Sequence, residues 1–460
     1  MAKRLLDVAV IVVATAIAIA VALWVTPMQT VEAVGQTVRV GATQPSLSWS
    51  GLSWSGPGEV DLFGQELPST IEFSGPIRPR LELTDLQLTE QLTDLAGPDS
   101  DESARSAAQQ ELTDALVSGW RNYLILQVLI VAAVTVLLLG AIAGWQRRSL
   151  KPSIAFVVVG ALFAVAVNVG AFVSTAFSTT DQLRGIDSLA SLVGAAPPAV
   201  AAPRETPTGV AGKVVVIGDS TAAGIGNPAL AAPTREDSAC ERTSGSFAVA
   251  LDRSTGWEVA NLACSSATIR EGLLGDQERG GDEVPPQLPR ALADAPGALI
   301  ISVGANDVRW SQMIGLCATL PDCGGAATDA YFRQQLSVFT RDYLVLLTQL
   351  RSLPNPPTVV INQYYDPLSD DTACVRDLGI TEEKEKVLRG WLQSLNTVLA
   401  EGARASSFQT ALPSFAGHGV CSTAPFVQSI DGAAPLHPTT AGGLAIALAD
   451  QAALLESGFR

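Results

Sequence analysis

The chain has 460 residues, enough for two or three domains, and is apolar and lightly charged, with 47% hydrophobic and 16% charged residues. Its formal net charge of -16 argues against nucleic acid as a partner, because phosphates repel such a surface.

Residues 8–25 form an uninterrupted apolar run inside a first predicted transmembrane helix, 1–25. Further runs at 123–145 and 154–177 are also long enough to span the hydrocarbon core, which takes about 20 apolar residues. Lys3 and Arg4 precede the first span, and Arg147, Arg148 and Lys151 lie around the short loop 146–153. Positive residues stay inside, so the N-terminus and this loop are expected in the cytoplasm. The regions 26–122 and 178–460 then lie outside. Val31, Glu32 and Ala33 form a passable signal-cleavage site, but the apolar run is long for a signal, and an uncleaved anchor is expected.

Between the first two spans, residues 36–96 alternate apolar and polar positions in "QTVRVGA", "GEVDLFGQEL" and "TIEFSGPIRPRLELTDLQL", as half-buried strands do. A small β-rich module is expected there. The tandem repeat "LSWSGLSWSG" at 47–56 reads as a hairpin whose tryptophans pack on each other, rather than a sugar-stacking surface. Residues 103–120 read as a helix running into the second span. Asn168, inside the third span, is expected to hydrogen-bond a neighbouring helix. No acid, Lys or Arg lies within the second or third span, which argues against a proton-coupled transporter.

Residues 178–212 read as a linker, rich in Pro, Ala and Gly from 194 onward. The remainder, 213–460, is long enough for one α/β domain with a proper core. Strand candidates at 213–218, 257–263, 298–303, 358–362 and 407–412 alternate with helix candidates at 242–253, 329–352, 381–404 and 439–457. This alternation predicts a parallel sheet with helices on both faces and a ligand crevice at the strand carboxyl ends. All six cysteines (Cys240, Cys264, Cys317, Cys323, Cys374, Cys421) fall in this domain. An even count in an extracytoplasmic domain fits disulfides, although spacing alone leaves the pairing open.

"VVVIGDSTAAGIG" at 214–226 places Ser220 just past a buried strand, where a serine nucleophile or a helix cap can stand. A nucleophile needs a base, and both histidines of the chain, His418 and His437, lie in this domain. "GAND" at 304–307 supplies Asn306, a neutral donor suited to an oxyanion.

Taken in order, "GDS" at 218–220, "NLACSSATI" at 261–269, "GAND" at 304–307 and "HP" at 437–438 resemble the four blocks of the SGNH (GDSL-type) hydrolases. "FAGHGVC" at 415–421 and the cysteine placement look like a secreted actinobacterial esterase/lipase branch of that family. The resemblance covers only the C-terminal half. It implies a three-layer, flavodoxin-like parallel sheet. It also implies the pairs Cys240–Cys264, Cys317–Cys323 and Cys374–Cys421. Carried over by position, Ser220 is the nucleophile and His437 the base. The oxyanion donors are the Ser220 and Ser266 backbone N–H groups and the Asn306 side chain. Asp219 and Asp307 support their loops, and His418 belongs to a structural loop.

Two positions depart from the family pattern. Ser266 stands where a glycine is usual, which keeps the backbone N–H. Ala434 stands where the pattern carries the aspartate that orients the histidine. Either Asp431 or a backbone carbonyl near Ala434 is left to do that work. The resulting expectation is a membrane-anchored, extracytoplasmic serine esterase acting on O-acyl esters of envelope glycans or lipids, with no metal or cofactor. An O-acyltransferase on the same fold and a non-catalytic envelope scaffold are the alternatives.

Overall fold

The computed structural model describes residues 2–33, 36–43, 55–62, 64–74, 77–86, 102–183, 210–368 and 373–459. The chain divides into two compact units, one ending at Gly194 and the other comprising Ala195–Arg460 with a short piece at Phe63–Gln65.

The first unit contains three long helices, α1 (Ala2–Val25), α2 (Glu102–Trp145) and α3 (Leu150–Leu183). Leu, Ile, Val and Ala dominate them, and the single proline, Pro152, lies in the first turn of α3, where its missing N–H costs nothing. Within them Leu5–Val25, Thr113–Trp145 and Leu150–Val173 are long and apolar enough to cross a membrane. Small residues let the helices approach: Ala18 and Ala22 of α1 pack with Val131 of α2 and Ala164 of α3. A Cβ on Gly160 would lie 2.1 Å from Leu139 Cδ1, so a larger residue there would displace that side chain. The outward faces are apolar, with Val13, Leu137 and Leu162 all more than half exposed. A groove of about 360 Å³ between α2 and α3 is lined by Gly140, Gly144, Arg148 and Ile154, all within this unit. Asn168 departs from expectation. It is fully buried, yet neither of its side-chain polar atoms finds a partner among the described residues, and the same holds for Gln127.

The β module is a five-stranded sheet of β1 (Gln29–Ala33), β2 (Gln36–Ala42), β3 (Ser55–Leu62), β4 (Gln65–Ser74) and β5 (Pro79–Leu86), in the order β1-β2-β5-β3-β4. Alternation places Val38, Val40, Val60 and Leu62 inside. β1 pairs antiparallel with β2 and was not foreseen, because five residues carry too little alternation to be read. As expected, α2 is continuous from the surface stretch into the span. Trp49 and Trp54 of the tandem repeat lie outside the described residues.

The second unit is built on a parallel sheet of β6 (Val210–Gly218), β7 (Glu258–Asn261), β10 (Pro296–Ser302), β11 (Thr358–Asn362) and β12 (Gln409–Ala411), in the order β12-β11-β10-β6-β7. This is the flavodoxin-like order, whose switch point falls between the first and third strands, here β6 and β10. Val214–Ile217 and Leu299–Ile301 are each wholly buried. Successive strand residues point to opposite faces, so both faces of the sheet are covered.

The covering helices foreseen are α6 (Phe247–Thr255), α9 (Ala326–Arg351), α11 (Glu382–Ala405) and α12 (Thr440–Glu456). Short elements escaped the sequence analysis because they carry too few residues to show a period. These are α4 (Ser220–Ala223), α5 (Arg235–Ala239), the hairpin β8 (Gln277–Arg279) and β9 (Asp282–Val284), α7 (Gln287–Ala293), α8 (Trp310–Thr319) and α10 (Ala373–Arg376).

The three disulfides are Cys240–Cys264, Cys317–Cys323 and Cys374–Cys421, the pairs that the resemblance implied. Cys240 and Cys264 are fully buried and 24 residues apart in sequence. Replacing both by serine is expected to cost about 3 kcal/mol from loop-closure entropy, read as a lowered urea midpoint of the oxidised protein.

Candidate active site

β6 ends at Gly218, whose φ is +153° and whose added Cβ would lie 2.1 Å from the Ser302 carbonyl oxygen of β10. Only glycine fits there. The Gln287 side chain clamps this residue on both sides, accepting from Gly218 N–H at 2.7 Å and donating to Gly218 C=O at 3.0 Å. Asp219 then caps α4, accepting from Thr221 N–H at 2.9 Å. Ser220 is the first residue of that helix, so its backbone N–H has no carbonyl one turn back to bond.

Ser220 Oγ lies 2.8 Å from His437 Nε2. His437 Nδ1 lies 3.1 Å from the Pro435 carbonyl oxygen, which can only accept. Nδ1 therefore carries the proton, and Nε2 presents its lone pair to the serine hydroxyl. The His437 loop is pinned from several directions. Tyr365 donates to Leu436 C=O at 2.9 Å, Asn227 donates to Pro438 C=O at 2.9 Å, and Gln428 N–H bonds His437 C=O at 2.8 Å. Burial holds the imidazole below its ordinary value of 6.5, while the Pro435 and Ala434 carbonyls and the Glu241 charge pull the other way.

Asp431 is not brought to His437. A turn closed by Gly432 N–H on Ser429 C=O leaves Asp431 exposed, with no hydrogen bond or ion pair to His437 among the described residues. The orienting acceptor is the Pro435 carbonyl, next to the Ala434 position considered from sequence. His418 is placed elsewhere: its Nδ1 lies 2.8 Å from Ala424 C=O, and its ring stacks on Phe426.

The second and third blocks converge on the same crevice. Cys264 N–H donates to Gly218 C=O at 3.0 Å, and Asn306 Nδ2 donates to Ala267 C=O at 3.0 Å. Ser266, between them, has a φ of +64°. No acceptor for the Ser220 or Ser266 backbone N–H occurs among the described residues. Asn306 keeps a second N–H beyond its bond to Ala267.

Two buried carboxyls underlie the crevice. Asp219 accepts from the Tyr364 hydroxyl at 2.6 Å, and Tyr364 in turn accepts from Ala305 N–H at 3.0 Å. Burial pushes Asp219 up to about 6 despite these bonds. Asp307 accepts from Ile269 N–H at 3.1 Å, and its other oxygen is buried without a partner. Burial, with Asp342 and Asp219 nearby, pushes it up to about 7. Gln287, Tyr364, Tyr365, Asn227 and Gln428 were not legible in the sequence as parts of the site. None lies in a block that carries chemistry, and all but Gln428, nine residues from His437, act through a contact distant in sequence. Among the described residues, no cluster of three or more His, Cys, Asp or Glu is placed to hold a metal ion.

The model of the GDSL-like lipase/acylhydrolase family matches residues 216–443. The C-terminal domain belongs to this family. It is a carboxylic ester hydrolase of the SGNH type. No curated protein matches the chain. Solved structures similar to this SGNH hydrolase include an extracellular lipase from Streptomyces rimosus, 20% identical, covering 52% of this chain and 98% of its own, with a TM-score of 0.39. A phospholipase A1 from Streptomyces albidoflavus is 20% identical, covering 54% of this chain and 99% of its own, with a TM-score of 0.39. A carbohydrate acetylesterase from Sinorhizobium meliloti is 18% identical, covering 53% of this chain and 99% of its own, with a TM-score of 0.29.

If His437 must be neutral to accept a proton, the acid limb of kcat/KM is expected to have its midpoint below pH 6.5, measured on a neutral ester. Asp307 gives a stability prediction. The native carboxyl ionises at about 7 against 3.8 in the unfolded chain, so stability falls as pH rises between those values. Asp307→Asn keeps an acceptor for Ile269 N–H and removes the buried charge. It is expected to stabilise the protein by about 1–3 kcal/mol at pH 8 and not at pH 4, read from urea melts at both pH values.

Proposed function

We propose that the chain is a membrane-anchored serine esterase that hydrolyses O-acyl esters of cell-envelope glycans or lipids outside the membrane. The observation that carries this reading is the Ser220–His437 pair at 2.8 Å, with the histidine tautomer fixed by the Pro435 carbonyl. The anchor rests on three helices long and apolar enough to span, and on the positive residues of the loop 146–153. The disulfides support an oxidising compartment for the C-terminal domain.

In this mechanism the Ser220 oxygen attacks the ester carbonyl while its proton passes to His437 Nε2. The carbonyl electron pair moves onto oxygen. That oxyanion is met by the N–H groups of Ser220 and Ser266 and by the Asn306 side chain. Collapse expels the alkoxide, which takes the proton from His437, and leaves acyl-Ser220. Water then attacks the acyl carbon with His437 as base, and the acid departs. The imidazolium that forms twice is stabilised by a carbonyl dipole instead of a carboxylate charge. In serine proteases, losing the carboxylate costs about 10⁴-fold when it traps the wrong tautomer. The Pro435 carbonyl keeps the right tautomer, so only the charge stabilisation is given up.

The test is labelling of the full-length protein in detergent micelles by a fluorophosphonate, beside Ser220→Ala. Labelling of the parent that disappears in the variant is expected. A folded, disulfide-intact parent that stays unlabelled would sink the esterase reading.

A further inference from the structure

Three side chains stand at the edge of the crevice without touching a reacting atom: Glu241, whose charge favours the His437 cation, Ser266 and Arg279. Two of them are tied together covalently. Glu241 follows Cys240, Ser266 lies two residues after Cys264, and these cysteines form a disulfide. Ser265 N–H donates to Cys240 C=O at 3.1 Å and reinforces the link. Arg279, at the end of β8, reaches both. Its Nη2 lies 2.7 Å from Glu241 Oε2, and its Nη1 donates to Ser266 Oγ at 3.3 Å. The Arg279 side chain is only 25% exposed, so the guanidinium has little freedom to swing away.

Glu241 carries a left-handed φ of +58°, and Ser266 is the second strained member of this group. Its φ of +64° is left-handed, a conformation that costs a residue with a side chain about 1–2 kcal/mol. The flanking residues are held by other bonds: Ala267 N–H donates to Cys264 C=O, and Ala267 C=O accepts from Asn306. What the left-handed turn leaves free is the Ser266 N–H, which has no acceptor among the described residues. Relaxation of Ser266 to a negative φ would re-aim that N–H. A glycine would need no restraint, since it takes positive φ without cost.

We propose that Arg279 is a positioning residue for the oxyanion hole. Anchored by Glu241, it donates to Ser266 Oγ and so holds the left-handed Ser266 whose N–H meets the oxyanion. The proposal rests on Ser220 being the acyl-accepting nucleophile. Arg279 touches neither substrate nor reacting atoms. Its effect on the oxyanion hole passes through the Ser266 side chain, and that makes it separable from a general structural role.

The experiment is a double-mutant cycle on the full-length protein in detergent, using 4-nitrophenyl acetate hydrolysis and the rate of fluorophosphonate labelling. Arg279→Ala is made in the parent and in a Ser266→Gly background. Complete loss of an oxyanion donor costs about 10²–10³ in kcat, and a displaced donor costs less, so kcat is expected to fall about three- to tenfold in the parent with KM unchanged. In the Ser266→Gly background the same substitution is expected to change kcat by less than about twofold, because no side chain is left to hold. Glu241→Gln is expected to lower kcat more in the parent than in the Ser266→Gly background, the loss common to both being that of its charge near His437. It carries the cycle alone should Arg279→Ala fail to fold. Equal losses in both backgrounds, or a raised KM at constant kcat, would overturn the positioning role. A parent without Ser220-dependent labelling overturns this proposal together with the esterase reading, whereas labelling with equal losses overturns this proposal alone.

Discussion

The close approach of Gly218 to the Ser302 carbonyl determines where everything else in the site can stand. β6 and β10 are neighbours in the sheet, and Asp219 N–H continues their ladder by bonding Ser302 C=O at 3.0 Å. A side chain at 218 would push the two strands apart. With glycine there, the chain leaves the strand and starts a helix within two residues, and Ser220 faces the crevice at the switch point of the sheet. The second block reaches the same residue through Cys264 N–H, and Gln287 closes around it. Ser220 and the second block therefore share one fixed reference point.

The histidine side of the site solves a different problem. An aspartate beside the imidazole would supply both orientation and charge. Here the two tasks are separated. The Pro435 carbonyl supplies orientation, and the loop that carries it is fixed by Tyr365, Asn227 and Gln428 rather than by its own sequence. Charge comes only weakly, from carbonyl dipoles and from Glu241. Burial of the imidazole disfavours its cation and outweighs these carbonyls and the Glu241 charge, which favour it. A proton taken up at Nε2 would thus be met by carbonyl dipoles in place of an adjacent carboxylate.

The legible part of this protein was whatever repeats or clusters along the chain. Three apolar runs gave the long helices, and the buried strands of the parallel sheet read as continuous apolar stretches. Ser220, His437 and Asn306 stood in recognisable blocks, and the structure brings the first two into contact. What was not legible depends on folding across long sequence distances. Whether Asp431 or a carbonyl would reach His437 turned on one short turn, Ser429–Gly432, that sequence spacing does not describe. Gln287 lies 69 residues from the glycine it clamps, and its neighbours gave no sign of that role. Short elements such as β8, which carries Arg279, are below the length at which periodicity speaks.

The separation of Ser220 from His437, 217 residues along the chain, has a consequence for the order of events in synthesis. The strand and turn that expose the serine are made early in the domain. The histidine emerges near the end, and the loop around it is held by residues from 227 to 438. α12, whose cap at Thr439 directly follows that loop, is made later still. A nascent or truncated chain therefore carries a serine without a base. The Ser220–His437 contact forms only once the last elements of the domain have been made.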